Sequence, residues 1–219
     1  MAERTHGGAA LSPAFLKRTA LLAAKLPHYP GIKLADVVLV DSEILGGEAF
    51  AALMASDAIG FDTESKPTFL KGEVSTGPHL VQLATENQAF LFPIVGELAS
   101  PELKAILESS RVLKVGFGLG NDRSALNARL GVALNNVLDM GEVLRGPEHN
   151  GTVGVKLAVA HFFEQTLQKS KRISTSNWAN PLLNERQLLY AANDAHVALR
   201  IYRAWVLNGK AQVVQGELF

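Results

Sequence analysis

The apolar run Ala58-Ile59-Gly60-Phe61 ends in Asp62-Thr63-Glu64-Ser65, so a segment fit to be a buried strand carries two carboxylates two residues apart. Residues i and i+2 of a strand point to the same face. Asp62 and Glu64 therefore project side by side, and each disfavours the ionised form of the other. Two outcomes are open for such a pair. Either the strand stops at Asp62 and the acids begin a loop, or a divalent cation compensates their charge.

With 219 residues, 47% of them hydrophobic, the chain has enough material for a full core in one domain of ordinary size. It contains no cysteine, which excludes a disulfide framework and cysteine-ligated zinc and fits a reducing, cytoplasmic setting. No run of about 18 apolar residues occurs, so no membrane partner is expected. Residues 1–30 interleave Lys17, Arg18 and Lys25 with apolar side chains and lack the continuous apolar centre of a secretory signal.

Twenty-one basic and 21 acidic residues cancel, which argues against a scaffold that coats nucleic acid. The balance does not exclude an enzyme with an acidic, metal-holding site. Four carboxylates bound to two divalent cations present no net charge to an approaching phosphate.

Periodicity predicts a helix over 11–26, ended by Pro27-His28-Tyr29-Pro30-Gly31, then a strand at 37–40 and a helix at 47–55 leading into a strand at 58–62. Strands at 80–84 and 89–92 flank Thr85-Glu86-Asn87-Gln88 as a hairpin. A helix over 101–109 takes Ser100 as N-cap and Pro101 as its first residue. A strand at 112–115, a helix over 119–130 and a short strand ending near Asp139 follow. Then come a helix over 153–163, an irregular basic segment over 169–181 and a long helix over 184–207. Strands early and helices interleaved afterwards predict an α/β fold, a mixed sheet flanked by helices on both faces.

Further acids fall where this order brings them near the first pair. Asp122 follows a strand and the turn Gly116-Phe117-Gly118-Leu119-Gly120-Asn121, where it either caps the next helix or joins a site. Asp194 lies four residues after Tyr190, so both project from one face of the last helix. Ala191, Ala192, Ala195 and Ala198 surround Asp194 with small side chains, which suggests close packing rather than open water. Asp139 is expected to cap the segment from Met140, and His196 to lie on the helix surface.

A strand Asp-x-Glu, a post-strand Asp and a helical Tyr-x-x-x-Asp in this order resemble the DEDD superfamily of 3'-5' exonucleases, in its tyrosine branch, which includes Werner-type exonuclease domains and ribonuclease D. Phe61-Asp62-Thr63-Glu64-Ser65 is similar to the first motif, and His79-Leu80-Val81-Gln82-Leu83-Ala84 to the strand after it. Lys114 through Asp122 is similar to the second motif. Ser176-Asn177-Trp178, Pro181-Leu182 and Gln187 through Ala195 resemble the third with its approach.

The resemblance covers roughly 37–206 and implies a ribonuclease H-like sheet. The expected division is a helical extension at 1–36, an exonuclease domain at 37–207 and a tail at 208–219. The resemblance further implies two divalent ions, Mg²⁺ or Mn²⁺. Asp62, Glu64 and Asp194 would hold the one that activates water, and Asp62 and Asp122 the other. Tyr190 would orient the attacking water. The substrate implied is DNA or RNA with a free 3' end, released as nucleoside 5'-monophosphates.

Lys66, Phe69 and Lys71, just past the first motif, either touch nucleic acid or form a solvated loop with an apolar anchor. Lys169, Lys171 and Arg172 form a candidate phosphate track. Trp178 is expected to be structural. Two other readings are open: a dinucleotide-binding oxidoreductase built on the Gly116–Gly120 turn, and a nucleic-acid-binding module without activity. The G-x-G-x-x-G spacing of the former requires glycine where Asn121 stands.

Overall fold

The computed structural model describes residues 10–22, 25–68, 72–96, 99–146 and 151–216. In chain order the first elements are α1 (Pro13–Leu22), β1 (Val37–Leu39), α2 (Glu43–Met54), β2 (Ala58–Glu64), β3 (Leu80–Ala84), β4 (Ala89–Pro93) and α3 (Pro101–Glu108). There follow β5 (Leu113–Gly116), α4 (Asp122–Leu130), β6 (Val137–Asp139), α5 (Met140–Val143), α6 (Val155–Phe163), α7 (Lys171–Ser174) and α8 (Glu185–Gly216).

Two compact units interleave along the chain. One comprises Pro30–Asp139 and Lys169–Leu199 and contains the whole sheet. The other gathers α1, α5, α6 and α8 from Arg200 onward. In the latter, Leu11 N–H donates to Leu144 O at 3.0 Å, and the Tyr29 ring stacks on Phe163 at 5.6 Å.

The sheet has six strands in the order β1-β4-β3-β2-β5-β6. β2, β3 and β4 are antiparallel neighbours, whereas β1, β5 and β6 join in parallel. Alternation along the central strands divides the core. Ile59, Phe61, Val81, Leu83, Phe90 and Phe92 pack with α2, α3 and α4, through residues such as Leu53, Leu107 and Leu126. Leu80, Ala84, Ala89 and Leu91 face the other way and meet Trp178 and the alanines of α8. The sheet is therefore mixed, with helices on both faces, as the order of elements predicts.

Several boundaries differ from the sequence expectation. β2 runs to Glu64 because its last residues pair with β3, Asp62 opposite Gln82 and Glu64 opposite Leu80, so the acidic pair lies inside the strand rather than beyond its end. α2 starts at Glu43, where Ser42 Oγ accepts from Leu45 N–H at 3.4 Å. α4 starts at Asp122, since Gly118 has φ +73° and turns the chain before any helix can begin. The basic segment expected to be irregular holds the single turn α7, α1 is shorter than 11–26, and α8 continues to Gly216. Ser100 caps α3 as expected, its Oγ accepting from Leu103 N–H at 3.2 Å.

Candidate active site

The site begins with the close approach of α8 to β2. Gly60 leaves the room for it: a Cβ there would lie 1.9 Å from the carbonyl oxygen of Ala195. Asp62 and Glu64 continue along the face of β2 that Gly60 opens, and Asp194 is the neighbour of Ala195. Tyr190, one turn earlier on α8, is half-buried, with its ring 6.0 Å from that of Trp178. The small residues Ala191, Ala192 and Ala195 are fully buried, so α8 lies flush against the sheet.

Crowding of the carboxylates governs the electrostatics. Burial raises the Asp62 carboxyl well above the usual range, and the charges of Asp194 and Asp122 push it the same way. Glu64 is pushed up to about 9 by burial and by Asp62 and Asp194. Asp194 is raised by burial, against the opposing pull of Lys169. Lys169 Nζ sits 2.9 Å from Asp194 Oδ2 and 5.3 Å from the centre of the Tyr190 ring. Burial disfavours the Lys169 charge, but Asp194, Tyr190 and Asp62 outweigh it and raise the pKa of the ammonium. The Tyr190 hydroxyl is pushed up to about 12 by burial and by Asp194.

Asp122 is the first residue of α4, at the rim of this group. Burial raises its carboxyl, and the Thr63 hydroxyl opposes the rise by donating to Asp122 Oδ1. Thr63 N–H also donates to Asp62 Oδ1 at 2.9 Å. Thr63, between the two acids of β2, thus holds the carboxylates of Asp62 and Asp122.

Asp139, which directly precedes α5, serves the glycine turn. Its carboxylate accepts from Gly118 N–H at 3.2 Å and Leu119 N–H at 2.8 Å, closing the glycine turn. Those main-chain donors are the ones a pyrophosphate would need, so the dinucleotide reading loses its binding groups to the chain's own carboxylate.

Of the basic residues expected to touch nucleic acid, Lys66, Lys171 and Arg172 lie outside the carboxylate group. Lys66 lines a cleft of about 250 Å³ with Pro67, Glu73, Thr175 and Asn177. Its N–H donates to His79 Nδ1 at 3.2 Å, which ties the loop after β2 to the start of β3. Lys171 and Arg172 are exposed on α7, and Arg172 lines a second cleft of about 610 Å³ with Asn177 and Arg186. Phe69 and Lys71 lie outside the described residues.

His196 is not a surface residue. It is buried, with Nε2 3.0 Å from the carbonyl of Glu86 in the turn between β3 and β4. Trp178 is buried and donates from Nε1 to Ser174 O at 3.1 Å, a structural role.

Two residues join the site that local sequence did not assign to it. Lys169, grouped by sequence with the phosphate track, instead pairs with Asp194. Gln82, fully buried opposite Asp62 on the same face, has no hydrogen-bond partner for Oε1 or Nε2 among the described residues. A polar residue inside an apolar strand, at His79-Leu80-Val81-Gln82-Leu83, was the available signal for it. Lys169 carried no such signal.

A 3'-5' exonuclease family matches residues 37–207. The chain belongs to that family. It is 30% identical over 181 residues to the mouse bifunctional 3'-5' exonuclease/ATP-dependent helicase WRN, covering 80% of this chain and 13% of the relative. An Arabidopsis thaliana 3'-5' exonuclease is 29% identical over 166 residues, 73% of this chain and 55% of that one. The chain thus spans little more than half, or far less, of these relatives' lengths. Among solved structures, the EXO domain of Aedes aegypti Nibbler superposes with a TM-score of 0.68 at 27% identity, covering 82% and 91% of the two chains. Escherichia coli RNase D shares the fold, with a TM-score of 0.66 at 24% identity and coverage of 79% and 45%.

Exonucleases of this family are nucleic-acid hydrolases that use divalent metal ions, and the donor set here fits such ions. Its oxygens are all carboxylate, which suits a hard cation, and burial with mutual repulsion leaves these acids short of positive charge. Among the described residues, no three His, Cys, Asp or Glu groups have already converged on a metal position. Asp194 is engaged by Lys169.

Proposed function

We propose that the protein removes nucleotides from the 3' end of DNA or RNA by metal-dependent hydrolysis, releasing nucleoside 5'-monophosphates. The observation that carries this reading is the crowding of Asp62, Glu64 and Asp194 on one face of β2 and α8, with each carboxyl raised. Asp62, Glu64 and Asp194 would hold one divalent ion, and Asp62 with Asp122 a second, Mg²⁺ or Mn²⁺. When bound, two such ions activate a water and relieve charge at the leaving 3' oxygen.

The chain's own groups do the positioning. Thr63 fixes both Asp62 and Asp122 through its N–H and hydroxyl. Tyr190, with its pKa pushed up to about 12, keeps its proton at neutral pH. It therefore acts as a hydrogen-bonding group that orients the attacking water, and not as a base. This arrangement supports reading the protein as a member of the tyrosine branch.

Lys66, Lys171 and Arg172 are read as contacts to the phosphate backbone along the two clefts. Phe69 and Lys71 are assigned to the same loop from sequence alone. The exonuclease domain is taken as 37–207, and a cytoplasmic setting is supported by the absence of cysteine from the sequence. Among the described residues no helix is long and apolar enough to cross a membrane.

The test offers 5'-labelled single-stranded DNA, single-stranded RNA and a recessed-end duplex with Mg²⁺, Mn²⁺ or EDTA, with Asp62→Ala beside the parent. A ladder shortening from the 3' end, absent in EDTA and in D62A, is the expected result. No degradation of any substrate with either metal would overturn the reading.

A further inference from the structure

The ion pair at the heart of the site sets up a competition. Lys169 Nζ lies 2.9 Å from Asp194 Oδ2, and the Asp194 side chain is only 5% exposed. The same ammonium stands over the Tyr190 ring and is attracted by Asp62. A divalent cation bonded to the oxygen that Lys169 now holds would lie within about 5 Å of the ammonium, given metal–oxygen distances near 2.1 Å. Two like charges that close, in a partly desolvated pocket, repel strongly. Charge balance gives the same answer: two divalent ions neutralise four carboxylates, and a retained ammonium is then surplus.

We propose that Lys169 is a positioning residue that holds Asp194 in the metal-free protein and must leave that carboxylate when a divalent cation binds. This rests on the metal-dependent reading above. The lysine side chain is partly exposed and its neighbour Ser170, just before α7, is exposed, so the ammonium has a route to solvent. Until the cation binds, it supplies the counter-charge to a buried carboxylate whose other partner is the Tyr190 hydroxyl. The affinity of the site for metal is thereby set by an intramolecular competitor.

The experiment titrates Mn²⁺ into the full chain, followed by electron paramagnetic resonance, for the parent, Lys169→Met and Lys169→Arg, with melting curves in EDTA and in Mn²⁺. Removing a charge-assisted hydrogen bond that the metal has to break tightens Mn²⁺ binding in K169M by roughly tenfold or more. K169M melts lower in EDTA than the parent and gains more from Mn²⁺. K169R, which keeps the competing charge, binds no more tightly than the parent. If K169M does not fold, K169Q takes its place in the same comparison. Equal or weaker Mn²⁺ binding in K169M overturns the proposal alone, since it would make the lysine a support for the metal ligand. Absence of Mn²⁺ binding in the parent overturns the metal reading and this proposal with it.

Discussion

Gly60 on β2 lies directly beneath the carbonyl of Ala195 on α8, so close that a methyl group there would meet the oxygen at 1.9 Å. The contact is backbone to backbone, and no side-chain rotation relieves it. Gly60→Ala is expected to push α8 away from the sheet, separate Asp194 from Asp62, and cost about 1–3 kcal/mol of stability through overpacking. Gly47→Ala is the control: nothing lies within 4 Å of a Cβ at that exposed helical position, and it should gain about 0.5–1 kcal/mol. Urea midpoints and nuclease rates for the two variants check this. An active, stable G60A would refute it.

Metal-free protein should lose stability as pH rises. Glu64 has an ordinary value of 4.5 and is pushed up to about 9 in the folded chain, and Asp62 and Asp194 are raised as well. Groups whose folded pKa is raised bind protons more tightly when folded, so their contribution is full below about 4.5 and is lost as pH climbs toward 9. Lys114, lowered to about 8 by burial, acts in the opposite sense only above that value. In EDTA, urea midpoints should therefore fall between pH 5 and pH 8. Mn²⁺ should bind more tightly across the same interval, because its ligands must first lose their protons. A flat or rising metal-free profile would be inconsistent with crowded, raised carboxylates.

Tyr190→Phe separates orientation from packing. The ring stays half-buried beside Trp178, while the hydrogen bonds of its hydroxyl to Asp194 and Ser174 are lost, so stability should fall by about 0.5–1.5 kcal/mol while Mn²⁺ still binds. Loss of the hydroxyl should lower kcat by roughly a hundredfold or more. If the rate is unchanged, the phenol has no part in placing the water.

Asp139→Ala strips the acceptor from Gly118 and Leu119 N–H. As with a lost helix cap, about 1–2 kcal/mol of stability should go. Asp122, whose N–H donates to Leu119 O at 3.3 Å, should lose its fixed position and activity should drop. Asp139→Asn, which keeps an acceptor, should recover part of both. Equal effects of the two substitutions would point to the charge rather than the hydrogen bonds.

Local patterns read well where the determinant is local. Ser100-Pro101 announces the start of α3, and the alternating residues of β3 and β4 sort themselves between two helical layers. The chain order of Asp62, Glu64, Asp122, Tyr190 and Asp194 was legible because each rests on a recognisable strand end, turn or helical spacing. What escaped depends on contacts distant in sequence. His196 looks amphipathic on its own helix, but its partner is a carbonyl 110 residues away. Lys169 sits in a basic run that resembles any solvated segment until folding sets it against Asp194. Asp139 stands where a helix cap is expected, while two donors its carboxylate serves lie about 20 residues earlier.

Because β2 is paired along its acidic end by β3 and at its start by β5, the spacing between Asp62 and Glu64 is set by the pleat of a central strand. Such a strand cannot shift one acid without breaking its ladder with β3, and a slip of the whole strand would break the pairing with β5 as well. The proposed reaction floor is in that sense a ruler, whereas the segments that carry Lys66 and Arg172 are rim, built on loops and a single helical turn. Changes of substrate preference can thus accumulate at the rim while the ruler keeps its gauge.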